Sequence, residues 1–238
     1  MNKKDVVILA PVMPLWDDGQ FCAPLVSLLA SQGFNVSIID TLSLIPSANP
    51  QQAVEAVQQE LASRSRSPYL LVGFAMAGTL VQLLSQRLDC LTGVISISAP
   101  GYADPLLKER IGYLVSMLDN GHIDSAIEAL HQFVVPEGHT AQIGTLRIPD
   151  SLQQTAIARM KTGFSLLLQL DARPAMAQYH GKYLGIVGEK SQLATWDNQT
   201  HSRHRAHTYA CIPEAGMRPW NDNGSAINQV IKEWIEGL

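Results

Sequence analysis

The pattern of apolar and polar positions along the chain predicts six short strands separated mainly by amphipathic helices. Apolar runs cover residues 6–10, 36–39, 69–72, 94–97, 183–187 and 208–212. Between most of them, apolar side chains recur at helical spacing, for example in residues 21–31 and 51–62. Strands that alternate with helices indicate an α/β protein with a mostly parallel, doubly wound sheet of about six strands.

One interval departs from this alternation. Between the strands predicted at 94–97 and 183–187, the pattern is helical over residues 105–120, 125–133 and 151–170. An all-helical insertion in a parallel sheet is expected to lie over the carboxyl ends of the strands, where ligands bind. We therefore expect a helical cap at residues 102–174, inserted into a core formed by residues 1–101 and 175–238.

Residues 69–88 combine a buried strand, a turn rich in small residues and an amphipathic helix. The turn contains Gly73, Ala75, Ala77 and Gly78. Strand, tight turn and helix are the context of the nucleophile elbow, G-x-S-x-G, in which the serine attacks a substrate carbonyl. Ala75 stands where that motif has serine, and a methyl group cannot act as a nucleophile.

The order of these segments resembles the α/β-hydrolase superfamily over nearly the whole chain. Residues 183–189, Tyr-Leu-Gly-Ile-Val-Gly-Glu, resemble the strand that bears the catalytic acid. Residues 212–220, Ile-Pro-Glu-Ala-Gly-Met-Arg-Pro-Trp, resemble the histidine loop, which often reads I-P-x-A-G-H-x-P-W. The chain begins directly at the strand before the oxyanion loop, as in compact members such as plant methylesterases and methylketone synthases.

The resemblance places three substitutions at the catalytic triad. It assigns the nucleophile position to Ala75, the histidine position to Met217 and the acid position to Ser191. A serine hydrolase needs a hydroxyl nucleophile, a histidine base and a carboxylate that orients the histidine. None of these three side chains supplies its role, so we expect a degenerate triad without serine-hydrolase activity.

The oxyanion hole of such a fold is built from backbone amides and does not depend on the triad. The resemblance assigns these donors to Met76 and Val12. We expect a ligand-binding pocket for a small acyl or carbonyl compound, lined by Val12, Trp16, Phe21, Ala75, Met76 and Met217. The competing interpretation is that several of these side chains only fill the space of a lost active site.

Other groups with possible chemistry are weaker candidates. Cys22 and Ser43 are predicted near strand ends but not on an elbow, and a role of Asp17 toward a ligand stays open. The cap histidines within possible reach of the pocket are His122, His131 and His139. His201, His204 and His207 are three residues apart. On a helix, side chains at this spacing rarely converge on one ion, and no nearby cysteine or clear carboxylate completes a metal site. We therefore predict no metal and no cofactor.

Composition narrows the possible partners and the location. The formal net charge of −4 provides no basic surface for nucleic acid. No apolar run approaches the ~20 residues that cross a bilayer. Three widely spaced cysteines fit a reducing compartment better than a disulfide framework, so we expect a cytoplasmic protein. Cys90 and Cys211 are expected to be small core residues.

Three functions remain open from the sequence. The first is a pseudoenzyme that binds an acyl-type ligand or a partner protein without turnover. The second is a non-hydrolytic enzyme, such as a decarboxylase, lyase or cyclase, that uses the pocket and the oxyanion hole. The third is a hydrolase whose catalytic residues have moved to other positions.

Overall fold

A single parallel sheet forms the centre of the molecule. The computed structural model describes residues 4–64, 67–141 and 147–238. Within these ranges the strands are β1 (Lys4–Leu9), β2 (Phe34–Ile39), β3 (Tyr69–Phe74), β4 (Leu91–Ile97), β5 (Tyr183–Gly188) and β6 (His207–Ile212). Their order is β2-β1-β3-β4-β5-β6, and every neighbouring pair is parallel. The α/β class and the six predicted strands are confirmed.

Helices cover both faces of this sheet. They are α1 (Ala23–Ser31), α2 (Thr41–Leu44), α3 (Pro50–Arg64), α4 (Met76–Leu84), α5 (Pro105–Asp119), α6 (Ile123–Val134), α7 (Gln153–Leu167), α8 (Arg173–Gln178) and α9 (Pro219–Glu236). Alternate strand residues point to opposite faces: Val6 and Ile8 pack with α1 and α9, whereas Val7 and Leu9 pack with α3 and α4. The sheet is therefore doubly wound, as predicted.

The strand order places a crevice between β1 and β3. The chain moves from β1 outward to β2, then returns past β1 to β3 and continues to the other edge. Loops that leave the carboxyl ends of β1 and β3 therefore diverge, and ligands bind at such a switch point in open α/β sheets. The loop after Leu9 and the turn at Ala75 flank this crevice.

Helices α5, α6 and α7 occupy the long connection between β4 and β5, where the sequence predicted helices. Residues 142–146 of the predicted cap lie outside the described residues. Tyr102 and Asp171 form an isolated antiparallel bridge, and the Ala172 N–H donates to the Gly101 carbonyl at 2.7 Å. The two ends of the connection therefore meet. Helix α8 crosses the predicted boundary at residue 174 and packs on α4, so the division into cap and core stays a prediction.

Of the two cysteines expected in the core, Cys211 lies outside it and Cys90 packs against it only partly buried. Cys211 is exposed and Cys90 is half-buried, whereas Cys22 is buried. Cys211 belongs to β6, an edge strand whose central residues are only partly covered. Within the described residues, no helix combines the length and apolar character needed to cross a membrane.

The turn from β3 into α4 depends on two glycines in close contact. A Cβ atom on Gly73 would lie 2.5 Å from the Ala77 carbonyl oxygen. A Cβ on Gly78 would lie 2.4 Å from the Ala99 Cβ and 2.9 Å from the Gly73 oxygen. Larger residues at either position would push α4 away from the sheet, because the nearest atoms belong to backbone and a short side chain.

We expect Gly78→Ala to lower the free energy of unfolding by at least about 2 kcal/mol because the added methyl group overpacks this contact. Gly112→Ala in α5 is the matched control, since a Cβ at Gly112 has no neighbour within 4 Å. That change should raise the free energy of unfolding by up to about 1 kcal/mol through helix propensity. Urea denaturation of both variants measures the difference. Equal effects would show that the close contact is not required.

Candidate functional site

Ala75 occupies a strained backbone conformation at the carboxyl end of β3. Its φ is 47° and its ψ is −121°, a region that L-residues rarely adopt. The Ala75 N–H donates to the Ile97 carbonyl at 3.0 Å, so the strain is held by the neighbouring strand. Such conformations cost about 1–3 kcal/mol and cluster at functional sites. The strand-to-helix turn expected from the sequence is therefore present, with alanine at its apex.

The first residue of α4 presents an amide at this turn. Met76 begins the helix, and its N-cap residue Ala75 provides no side-chain hydrogen bond. The first N–H groups of a helix have no acceptor within the helix, and the helix dipole favours negative charge there. Thr79 is the first residue whose N–H bonds back, to the Ala75 carbonyl at 3.2 Å. Met76 is fully buried and lines the cavity described below.

The loop after β1 is fixed from above by α7. A Cβ on Gly163 of α7 would lie 2.5 Å from Val12 Cγ2, so only glycine allows this approach. Arg159, also on α7, donates to both carboxylate oxygens of Asp40 at 2.9 and 2.8 Å and lies 3.4 Å from the Met13 carbonyl. Both charged side chains are largely buried. These contacts hold Val12 opposite the turn at Ala75.

A cavity of about 710 Å³ lies between these loops and the helices of the connection. The six residues predicted to bind a ligand all line it, namely Val12, Trp16, Phe21, Ala75, Met76 and Met217. Ile111 of α5 and Phe164 of α7 form part of the opposite wall. The walls are mostly apolar, and the volume is in the range of small-molecule binding sites.

Ser191 and Met217, to which the sequence resemblance assigns the acid and histidine positions, contact each other. The Ser191 hydroxyl donates to Met217 Sδ at 3.1 Å, and the Ala194 N–H lies 3.4 Å from the same sulfur. The Met217 N–H donates to the Val134 carbonyl at the end of α6 at 3.0 Å. Met217 is thus held between the loop after β5 and α6. That these positions descend from an acid and a histidine stays a hypothesis.

One of the three histidines predicted in the cap reaches the cavity. His131 lines it, together with Ile127, Leu130 and Val134 from the same face of α6. His122 and His139 are exposed. Burial, with a further contribution from the positive charge of Arg218, lowers the pKa of His131. A neutral imidazole therefore faces the cavity near neutral pH.

Two further polar residues line the cavity, and only the first was considered from the sequence. Asp17 was a weak candidate, and its carboxylate accepts the N–H groups of Gly19 and Phe21 at 3.0 and 2.8 Å. It therefore holds the turn before α1. Arg218 was not predicted, although it directly follows Met217 in the loop that resembles a histidine loop.

The two side chains considered as relocated nucleophiles do not fit that role. Burial, and then the negative charge of Asp17, raise the pKa of Cys22 to about 12, so it stays a thiol. Its Sγ lies 3.4 Å from the Gly19 carbonyl. Ser43 is exposed in the short helix α2, where its hydroxyl donates to the Asp40 carbonyl at 2.7 Å, and it does not line the cavity.

The histidines near the carboxyl terminus lie away from the cavity. His207 opens β6, at the opposite end of the strand from the ligand crevice, and His201 and His204 precede it in irregular structure. These histidines therefore do not share a helix. Within the part of the chain that the structure describes, no group of three potential ligands is arranged to hold a metal ion.

The architecture is similar to solved structures of several enzymes. Bromoperoxidase from Bacillus anthracis has a TM-score of 0.78 and 15% identity over 99% of this chain and 92% of that chain. An alpha/beta hydrolase enzyme from a Medee basin deep-sea metagenome library has a TM-score of 0.75 and 12% identity over 99% and 90%. The enol-lactonase from Burkholderia xenovorans LB400 has a TM-score of 0.74 and 16% identity over 99% and 92%.

The chain has the α/β-hydrolase fold. The low identities establish the fold alone, because this fold carries many unrelated chemistries. No protein-family model matches the sequence, and a comparison with curated proteins found no significant match.

The charge of Arg218 offers a direct test of the cavity's electrostatics. We expect the pKa of His131 to lie below its ordinary value of 6.5 and to rise in Arg218→Gln, because removing a nearby positive charge favours the protonated imidazole. The pKa of His131 should rise only part of the way to 6.5, because burial still lowers it in the variant. Titration of the imidazole resonances by NMR measures both values. The exposed His139 is the internal reference, and an unchanged His131 pKa would show that the two groups do not interact.

Proposed function

We propose that the protein binds a small compound with an acyl or other carbonyl group and does not hydrolyse it through a Ser-His-Asp mechanism. The observation that carries the proposal is the 710 Å³ apolar cavity that opens onto the start of α4. The turn at its floor keeps the geometry of an elbow, but Ala75 provides no nucleophile.

The positions of the triad support the absence of hydrolysis. Removing all three catalytic residues of a serine hydrolase costs about 10⁶ in turnover. Met217 takes no proton near neutral pH, and its sulfur already accepts the Ser191 hydroxyl. A single Ser→Ala change would account for Ala75, but it would not account for Met217 and Ser191.

The chemistry of the cavity favours a ligand that is mostly apolar and carries one acceptor group. Methionine and aromatic walls adapt to an alkyl chain or a ring. The Met76 amide and, opposite it, Val12 of the loop after β1 favour an oxygen atom at the floor. A purely hydrocarbon ligand would leave a buried amide unsatisfied, at a cost of about 1–3 kcal/mol for each group.

His131 favours a second candidate, a non-hydrolytic enzyme that acts on the bound carbonyl compound. A neutral imidazole in an apolar cavity can take a proton, as the general base of a decarboxylase, lyase or cyclase does. The two candidates differ in whether the bound compound is consumed. A role in binding a partner protein instead would leave the cavity without a small ligand.

Methyl octanoate tests binding without hydrolysis, because it is an ester with an apolar chain. We expect saturable binding with one site per chain, and recovery of the ester intact after prolonged incubation. Calorimetry measures the binding, and gas chromatography measures the recovered ester. Ester cleavage that persists through purification and disappears on mutation of a named cavity residue would contradict the proposal.

Ala75→Ser is the matched variant for the missing nucleophile. We expect it to bind the ester without measurable turnover, since Met217 cannot take the serine proton as a triad histidine does. The triple variant Ala75→Ser, Met217→His and Ser191→Asp rebuilds the three roles on the same backbone. Hydrolase rates in the single variant would reveal a base that the proposal does not include.

A further inference from the structure

Ser98 carries a buried hydroxyl that has no role in the fold or in the site described above. It follows β4 directly, its side chain is 2% exposed, and it lines the cavity. Its Oγ has no hydrogen-bond partner among the described residues. Buried polar groups in proteins are nearly always paired, so an orphaned hydroxyl at a cavity wall needs an explanation.

The register of the sheet places Ser98 beside Ala75. The last residues paired between β3 and β4 are Phe74 and Ile97, so Ala75 and Ser98 are the next residues on adjacent strands. Both leave the sheet with positive φ, 47° and 50°. The Ser98 N–H is already used, since it donates to the Ile186 carbonyl at 2.7 Å. Its hydroxyl is therefore the unpaired polar group on this side of the elbow.

Ser96 shows what a purely structural serine on this strand does. It lies two residues earlier, is fully buried, and its Oγ is 2.5 Å from the hydroxyl of Tyr183. The strand therefore satisfies one buried hydroxyl within the protein and leaves the other without a partner, in a residue that lines the cavity. This contrast points to a partner for Ser98 that comes from outside the chain.

We propose that Ser98 is a ligand-recognition residue whose hydroxyl donates a hydrogen bond to the carbonyl oxygen of the bound compound. This inference rests on the proposed function and specifies the ligand further. Met76, at the start of α4, and Ser98, directly after β4, line the cavity together with Ala75. Because an amide N–H only donates, the group that satisfies both is an acceptor, such as a ketone, ester or acid oxygen.

The test compares dibutyl ketone with its methylene analogue, a hydrocarbon in which a =CH₂ group replaces the carbonyl oxygen. Fluorescence of Trp16 and Trp220, which line the cavity, reports the dissociation constants. We expect the wild-type protein to prefer the ketone and Ser98→Ala to reduce that preference about threefold to tenfold, the usual worth of one neutral hydrogen bond. Without ligand, Ser98→Ala should raise Tm, because an unsatisfied hydroxyl is removed.

Ser96→Ala is the matched control and should have the opposite signature. It breaks the bond to Tyr183, so Tm should fall while the preference for the ketone stays at the wild-type value. Ser98→Gly removes the same hydroxyl and tolerates positive φ, so it should reproduce the loss of preference if the alanine variant folds poorly. An unchanged preference in both Ser98 variants would overturn the inference alone. Failure of the wild-type protein to bind either probe would overturn the proposed function and this inference with it.

Discussion

The close approach of α4 to the sheet at Gly73 and Gly78 is the constraint on which the candidate site depends. Neither position has room for a Cβ atom, so the chain reverses sharply between them. That reversal forces Ala75 into positive φ and directs the start of α4 toward the cavity. The strained turn is costly for a residue without catalytic chemistry. Its presence in this chain fits a role for the turn in presenting donors rather than a nucleophile.

Contacts between the core and the helices over the sheet fix the walls of the cavity relative to this turn. Arg159 of α7 and Asp40 after β2 form a largely buried bidentate pair, and breaking such a pair leaves an uncompensated charge. At the other side, α6 receives the Met217 N–H at Val134. The same contact sets the position of His131 relative to the loop that carries Met217. The walls of the cavity are thus tied to the core at two separated points.

Periodicity predicted the strands, the sheet class and the helical connection, because the inner strands bury both faces and most helices bury one face. The residues that line the cavity could be predicted because each belongs to a strand end or to an adjoining loop. Ser98 could not be found this way, since only the register of β4 against β3 and its positive φ reveal an unpaired hydroxyl. Cys211 was misassigned because the sequence does not show that its strand is an edge. Arg218 was not predicted, because the resemblance assigns a role to Met217 and none to the residue that follows it.

The central claim is that backbone donors at the floor of the cavity hold a carbonyl oxygen. Amide chemical shifts of nitrogen-labelled protein, titrated with methyl octanoate, test it most directly. We expect the largest shifts at the amides of Met76 and Val12, and no shift at the amide of Tyr209 on the edge strand β6. Saturable binding without any shift at Met76 and Val12 would contradict it.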